Sequence, residues 1–149
     1  MLPDQLKPLA AVRQSTRIPN RFRCRAEIID HRPSFLEDFC RPFCSMCNES
    51  CPPRPEPRCP SCNLELDRNA QYIYMFSVLL DDGRDQLEVV LHGPDAEAFL
   101  DIPACNLYKD VTQRERLRMK LLGLVGTRIE CQVESYRAFH EAKRFRLIA

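Results

Sequence analysis

The sequence lacks a surplus of either charge. Its 149 residues carry 22 Lys and Arg against 21 Asp and Glu, a formal net charge of +1. A dedicated binder of phosphate backbones usually shows a clear basic excess, so this balance counts against one. Long apolar runs are also missing. None approaches membrane-spanning length, and no membrane partner is expected. Met1–Ala10 lacks the apolar core of a secretory signal. The cysteine count, nine, is odd. Both absences argue against the disulfide framework of a small secreted protein and for reduced thiols in an intracellular compartment. What remains is an ordinary globular composition, 44% apolar and 29% charged, at a length that suits one domain with a real core.

Against that ordinary background the cysteines are unevenly placed. Six of the nine fall in "FCRPFCSMCNESCPPRPEPRCPSCN", residues 39–63, and no histidine lies among them. Cys44 and Cys47 form one C-x-x-C, Cys59 and Cys62 another, with eleven residues between the pairs. A C-x-x-C turn aims two thiolates at one point, and two such turns close a tetrahedral shell of sulfur that suits Zn²⁺. The proline-rich segment between the pairs has no apolar run with which to pack itself, so a metal would have to order it. A thioredoxin-like redox motif needs one C-x-x-C opening a helix after a strand, which is a different context. Cys40-x3-Cys44 and Cys47-x3-Cys51 are also geometrically possible, so Cys40 or Cys51 can replace a neighbour as ligand. Four thiolates leave no open coordination position for water, so one structural zinc is expected and no enzyme.

Residues 1–20 hold Pro3, Pro8 and Pro19 without periodicity and are expected to form an extended lead-in. "RFRCRAEIID" then alternates, with Phe22, Cys24, Ala26 and Ile28 on one face of a half-buried strand. Ser34 with Glu37 is read as the cap of a short helix. "QYIYMFSVLLDDG" is the strongest apolar run and ends in a hairpin turn, from which "DQLEVVLHG" returns. A short helical piece "PDAEAFLD" follows. Residues 112–124 are expected to be a helix opened by a Thr112/Glu115 capping box, with Leu117, Leu121, Leu124 and Val125 as core. "TRIECQVESY" alternates again, burying Ile129, Cys131 and Val133, and "KRFRLIA" pairs with it. The order is strand, cysteine-rich insert, strand, strand, helix, strand, strand. That is the plan of a mainly β, five-stranded OB-fold barrel, with the zinc-ribbon-like insert, about 32–68, between strands 1 and 2 and the helix between strands 3 and 4. One domain, 21–149, is expected.

A zinc insert between the first two strands resembles the C-terminal domain of the replication protein A large subunit. The stretch 72–104, "YIYMFSVLLDDGRDQLEVVLHGPDAEAFLDIPA", resembles the third OB fold of protection-of-telomeres proteins. The elements carrying that likeness are the Leu80-Asp81-Asp82-Gly83 hairpin, Leu87-Glu88, Phe99 and Ile102-Pro103-Ala104, with "IECQVESY" as a similar late strand. Vertebrate members insert a nuclease-like domain between the cysteine pairs, which the eleven residues here leave no room for. The resemblance implies a nuclear, telomeric module that docks the shelterin adaptor protein, while telomeric single-stranded DNA is held mainly by other domains of a longer protein.

Two binding readings follow. A protein partner would use apolar anchors, for which Tyr72, Tyr74 and Phe99 are candidates. Single-stranded DNA would use aromatic platforms and basic tracks, for which Tyr72, Tyr74, Phe76, Tyr136 and Phe139 and Arg23, Arg25, Lys143 and Arg146 are candidates. Phe76 is read as core. Basic residues also cluster at Arg13–Arg25 and at Arg114, Arg116, Arg118 and Lys120, where solvated helix or strand faces are the simpler reading.

Overall fold

The computed structural model describes residues 5–52, 58–66 and 70–149. Parts of the expected lead-in (1–4) and insert (53–57, 67–68) lie outside the described residues. The chain forms two compact units. One comprises the chain up to Arg32, Ser77–Leu91 and Leu121–Ala149; the other comprises Pro33–Phe76 and His92–Lys120.

Alternation builds the first unit. β1 (Arg21–Arg32) buries Phe22, Cys24, Ala26 and Ile28 and turns its arginines outward. It pairs antiparallel with β6 (Arg128–Arg137) from Arg21↔Glu134 to Glu27↔Arg128. Its later residues pair with the end of β4 (Ala70–Asp81), from Ile28↔Leu80 to Arg32↔Ser77, with an irregularity between Ile28 and Asp30. Such a bulge bends a strand and lets one strand serve two neighbours, which closes a sheet on itself. The barrel order is β1, β6, β7 (Lys143–Ile148), β5 (Gln86–His92), β4 and back to β1. β6 and β7 are antiparallel, as expected, whereas β5 and β7 run parallel at Val90↔Arg146, making the barrel mixed. Val78, Leu80, Leu87, Val89, Leu91, Val133, Phe145 and Leu147 are buried with the β1 residues. In β6 the burial is narrower than expected, since Ile129 and Cys131 are only half-buried.

The β4–β5 hairpin shows why an Asp-Asp-Gly sequence belongs there. Gly83 has φ +92°, a conformation that side chains disfavour. The Asp81 carboxylate accepts from the Gly83 N–H at 2.7 Å, and Asp82 accepts from the N–H groups of Arg84 and Asp85 at 3.0 and 2.8 Å. The second oxygen of Asp82 accepts from the Leu9 N–H at 2.9 Å. That contact corrects the expected extended lead-in. Leu9–Gln14 form a helix, α1, whose Leu9 and Val12 are fully buried. An orphan N–H at its start is satisfied by a hairpin far away in sequence, which local patterning does not reveal.

In the second unit, β2 (Cys40–Cys44) pairs antiparallel with the first part of β4, Cys40 opposite Tyr74, and with β3 (Glu49–Ser50). Phe39 stacks on Phe76 at 4.5 Å between ring centroids, and Tyr74 meets Phe76 edge-on at 6.0 Å. α2 (Pro94–Leu100) starts with a proline whose missing N–H costs nothing there, and ends at Asp101 in the left-handed region. α3 (Val111–Leu124) extends from this unit into the residues of the other. Its cap is Asp110, whose carboxylate accepts from the Gln113 N–H at 3.0 Å. The expected Thr112/Glu115 box does not form, because Thr112 is already inside the helix and Glu115 binds Arg118 instead. Leu117 and Leu121 are buried; Leu124 is half-buried and Val125 exposed, so the core stripe is narrower than expected. The Ser34/Glu37 cap is likewise absent. Leu36–Asp38 form a single tight turn with no side-chain cap.

Candidate metal centre and binding surfaces

Four of the clustered cysteines meet. Ligand atoms of Cys44, Cys47, Cys59 and Cys62 all lie within 4.8 Å of one another. The Cys44 and Cys62 sulfurs are 3.5 Å apart, and those of Cys47 and Cys59 are 3.6 Å apart. These separations are too long for disulfides, and the cysteines are free. They are close to the edge, about 3.8 Å, of a tetrahedron with ~2.3 Å metal–sulfur arms. The arrangement can hold a metal ion, and an all-thiolate set of this size suits zinc.

The backbone explains how the thiols come together. Each C-x-x-C is followed by an asparagine in the left-handed region, Asn48 at φ 56° and Asn63 at φ 62°. Asn48 N–H donates to the Cys44 carbonyl and Asn63 N–H to the Cys59 carbonyl, both at 2.8 Å. Each turn also closes a small ladder, Cys44↔Glu49 in one and Arg58↔Glu65 in the other. The chain therefore builds the same knuckle twice, C-x-x-C-N, and the two face each other. Asparagine suits that position because its short polar side chain tolerates positive φ. The sequence carries this repeat as Cys47-Asn48 and Cys62-Asn63, a signal beyond the cysteine spacing.

Backbone donors prepare two of the sulfurs for charge. N–H groups of Cys62 and Ser61 point at Cys59 and hold its thiol down to about 6. Those of Cys47 and Met46 lower Cys44 in the same way. Cys47 is pushed up to about 12, by burial first and then by bonds to Cys59 and Cys44. A dication bound by these sulfurs would displace their thiol protons.

Neither alternative ligand is among the four that meet. Cys51 is buried beside it, with its sulfur 4.0 Å from Cys59 and a weak bond to the Glu49 carbonyl. With Leu66 it packs against the four ligands as a small core. Cys40 lies in β2 opposite Tyr74, and burial pushes its thiol up to about 12. Cys40 is not one of the four that meet.

The candidate binding residues divide. Tyr74 is fully buried, with its hydroxyl donating to the Pro103 carbonyl at 3.5 Å. It fastens the Ile102-Pro103-Ala104 segment to β4 and is core rather than a surface anchor. Tyr72 and Phe99 are half-buried in the same unit. Phe76 is buried, as read from the sequence, and Phe139 is 90% exposed.

In the barrel unit, Arg23, Arg25 and Tyr136 share one wall across β1 and β6. The arginines of this wall are held by two glutamates. Arg23 and Arg25 both bind Glu130, the former at 2.6 Å. Arg21 binds Glu134 at 2.8 Å, and Arg146 binds the other oxygen of Glu134. The Arg146 guanidinium also lies 5.4 Å from the centre of the Tyr136 ring. Side-chain bonds from Arg21 and Arg146 hold the Glu134 carboxyl below the ordinary range, and those from Arg25 and Arg23 do the same for Glu130. The two glutamates were overlooked in the sequence. Their alternation with Gln132 in "IECQVES", set against "RFRCR", was the available signal. Lys143 donates to the Arg13 carbonyl at 2.7 Å and so anchors the lead-in.

No protein-family model and no curated protein matches the sequence. Solved structures do match. A crystal structure of fission yeast Pot1 and Tpz1 aligns with a TM-score of 0.68 at 16% identity, covering 99% of this chain and 92% of that one. The fold is the OB barrel of those proteins. A replication protein A heterotrimer bound to single-stranded DNA aligns at 0.61 and 17% identity, over 90% of this chain and 32% of that one. Yeast RPA bound to single-stranded DNA aligns at 0.61 and 18%, over 100% of this chain and 86% of that one. At these identities the likeness concerns the fold.

Proposed function

We propose that this chain is an OB-fold module of a nuclear chromosome-end-protection protein and that it docks a shelterin-type adaptor protein at telomeres. The observation that carries the reading is the end-to-end alignment with the chain from the Pot1 and Tpz1 crystal structure, nearly complete in both directions. The charge arrangement supports a protein partner over DNA. Arg21, Arg23, Arg25 and Arg146 would have to leave Glu130 and Glu134 before tracking phosphates. In this reading the four cysteines hold one structural Zn²⁺. Four thiolates leave no position for a reactive water, so the module binds and does not catalyse. Telomeric single-stranded DNA would be held mainly by other domains of a longer protein.

A second reading, single-stranded DNA binding by this domain, rests on the barrel wall itself. Arg21, Arg23, Arg25, Arg144 and Arg146 outnumber Glu130 and Glu134, beside Tyr136. One pair of titrations on the purified chain separates the two. A shelterin-type adaptor from the same organism should form a one-to-one complex without DNA. A G-rich single strand should bind weakly, with a shallow salt dependence. No adaptor complex, together with tight and steeply salt-dependent DNA binding, would transfer the function to the second reading.

A further inference from the structure

A groove of about 770 Å³ lies in the second unit between the C-terminal end of α2 and the first turns of α3. Buried Leu100 and Ile102 contribute its floor. Val111 and Met119, on α3, line it and are 61% and 58% exposed. Two large apolar side chains that uncovered, on the rim of one concavity, mark a surface built for contact rather than solvent. Every polar residue lining the groove (Asp101, Thr112, Glu115, Arg116 and Lys120) is exposed. A small-molecule site would show polar groups buried and converging, so the groove suits a chain segment lying along it.

Charge selects the kind of segment. Arg118 neutralises Glu115, with its Nε 3.0 Å from a carboxylate oxygen, and Arg114 faces Glu37 at 3.6 Å. Arg116 bonds the neutral Gln113 amide at 2.9 Å. Among the described residues, neither Arg116 nor Lys120 has a carboxylate partner. The groove therefore offers two apolar contacts flanked by the cations Arg116 and Lys120, against the single unanswered carboxylate of Asp101, which leaves a surplus of one positive charge. Among the described residues no aromatic side chain lines it, so bases have nothing there to stack on, which disfavours single-stranded nucleic acid.

We propose that this groove receives an acidic amphipathic peptide of a partner protein, its apolar residues on Val111 and Met119 and its carboxylates on Arg116 and Lys120. The assignment rests on the protein-docking reading above and gives it a place.

Two arms test it on the 149-residue chain. In the first, peptides are selected from a random display library. They should converge on paired apolar residues with Asp or Glu beside them. Met119→Glu or Val111→Asp should weaken them about thirtyfold, as for interface anchors. Lys120→Glu should weaken them several-fold and flatten the salt dependence. Melting temperatures should stay unchanged, because these side chains are exposed. Peptides that are neutral or basic, that ignore Met119 and Val111, or that are displaced by oligo-dT would overturn the proposal. The second arm repeats the substitutions with a shelterin-type adaptor. An adaptor that binds the parent chain and Met119→Glu equally overturns the groove and leaves the docking function. Acidic peptides that bind the groove while the adaptor does not bind overturn the docking function and leave the groove.

Discussion

Replacing Tyr74 by alanine separates a core role from a binding role. The side chain is fully buried, packs edge-on against Phe76 and reaches the Pro103 carbonyl. Truncation removes a ring and leaves a cavity beside the Phe39–Phe76 stack. Large aromatic-to-alanine changes in cores cost about 3–5 kcal/mol. Tyr74→Phe keeps the ring and removes one long hydrogen bond of 3.5 Å, so it should cost about 1 kcal/mol or less. Urea unfolding followed by circular dichroism gives both numbers, provided the slope with denaturant stays constant. The expected pattern is a large loss for alanine and a small loss for phenylalanine. A Tyr74→Ala protein that unfolds within ~1 kcal/mol of the parent, yet loses its partner, would refute the burial argument and restore Tyr74 as a surface anchor.

Three further outcomes follow from the site geometry. The purified chain should contain one zinc per molecule. Cys47→Ser should lose it, Cys51→Ser should keep it, and metal analysis of the three proteins decides between the ligand sets. Glu130→Gln should release Arg23 and Arg25, raise affinity for oligo-dT and steepen the logarithmic salt slope by about 0.7 for each phosphate newly bound; an unchanged slope would mean that these arginines do not face the strand. Glu134 has its carboxyl held low by Arg21 and Arg146. Its contribution is therefore present at neutral pH and drains away as pH falls below about 4.5 and through the folded value. Acid unfolding should show a smaller pH dependence in Glu134→Gln than in the parent; equal curves would show that the clamp is not formed in solution.

The barrel was legible because its signals are local. Alternation in residues 22–28, the Asp81-Asp82-Gly83 turn and the late pair 128–137 and 143–148 each declare a strand or a turn without reference to distant residues. The four cysteines were legible for the same reason, since each knuckle is a short, self-contained turn. What was not legible depends on pairs far apart in sequence. Leu9–Gln14 form a helix whose first N–H is answered by Asp82. The Arg23 and Arg25 track is bound by Glu130, which only the β1–β6 register brings opposite Arg25. Tyr74 alternates correctly for a strand, but a strand apolar on both faces does not say which face is outermost. The α3 groove needed the exposure of Val111 and Met119, which helical periodicity alone cannot supply.

Chromatin enrichment in cells tests the central claim most directly. The 149-residue chain, tagged and expressed in its own organism, is immunoprecipitated from crosslinked chromatin, and recovery of telomeric repeats is measured with the shelterin-type adaptor present and depleted. The account predicts enrichment at telomeric repeats that disappears when the adaptor is depleted. Enrichment that persists without the adaptor, or no telomeric enrichment at all, would contradict it.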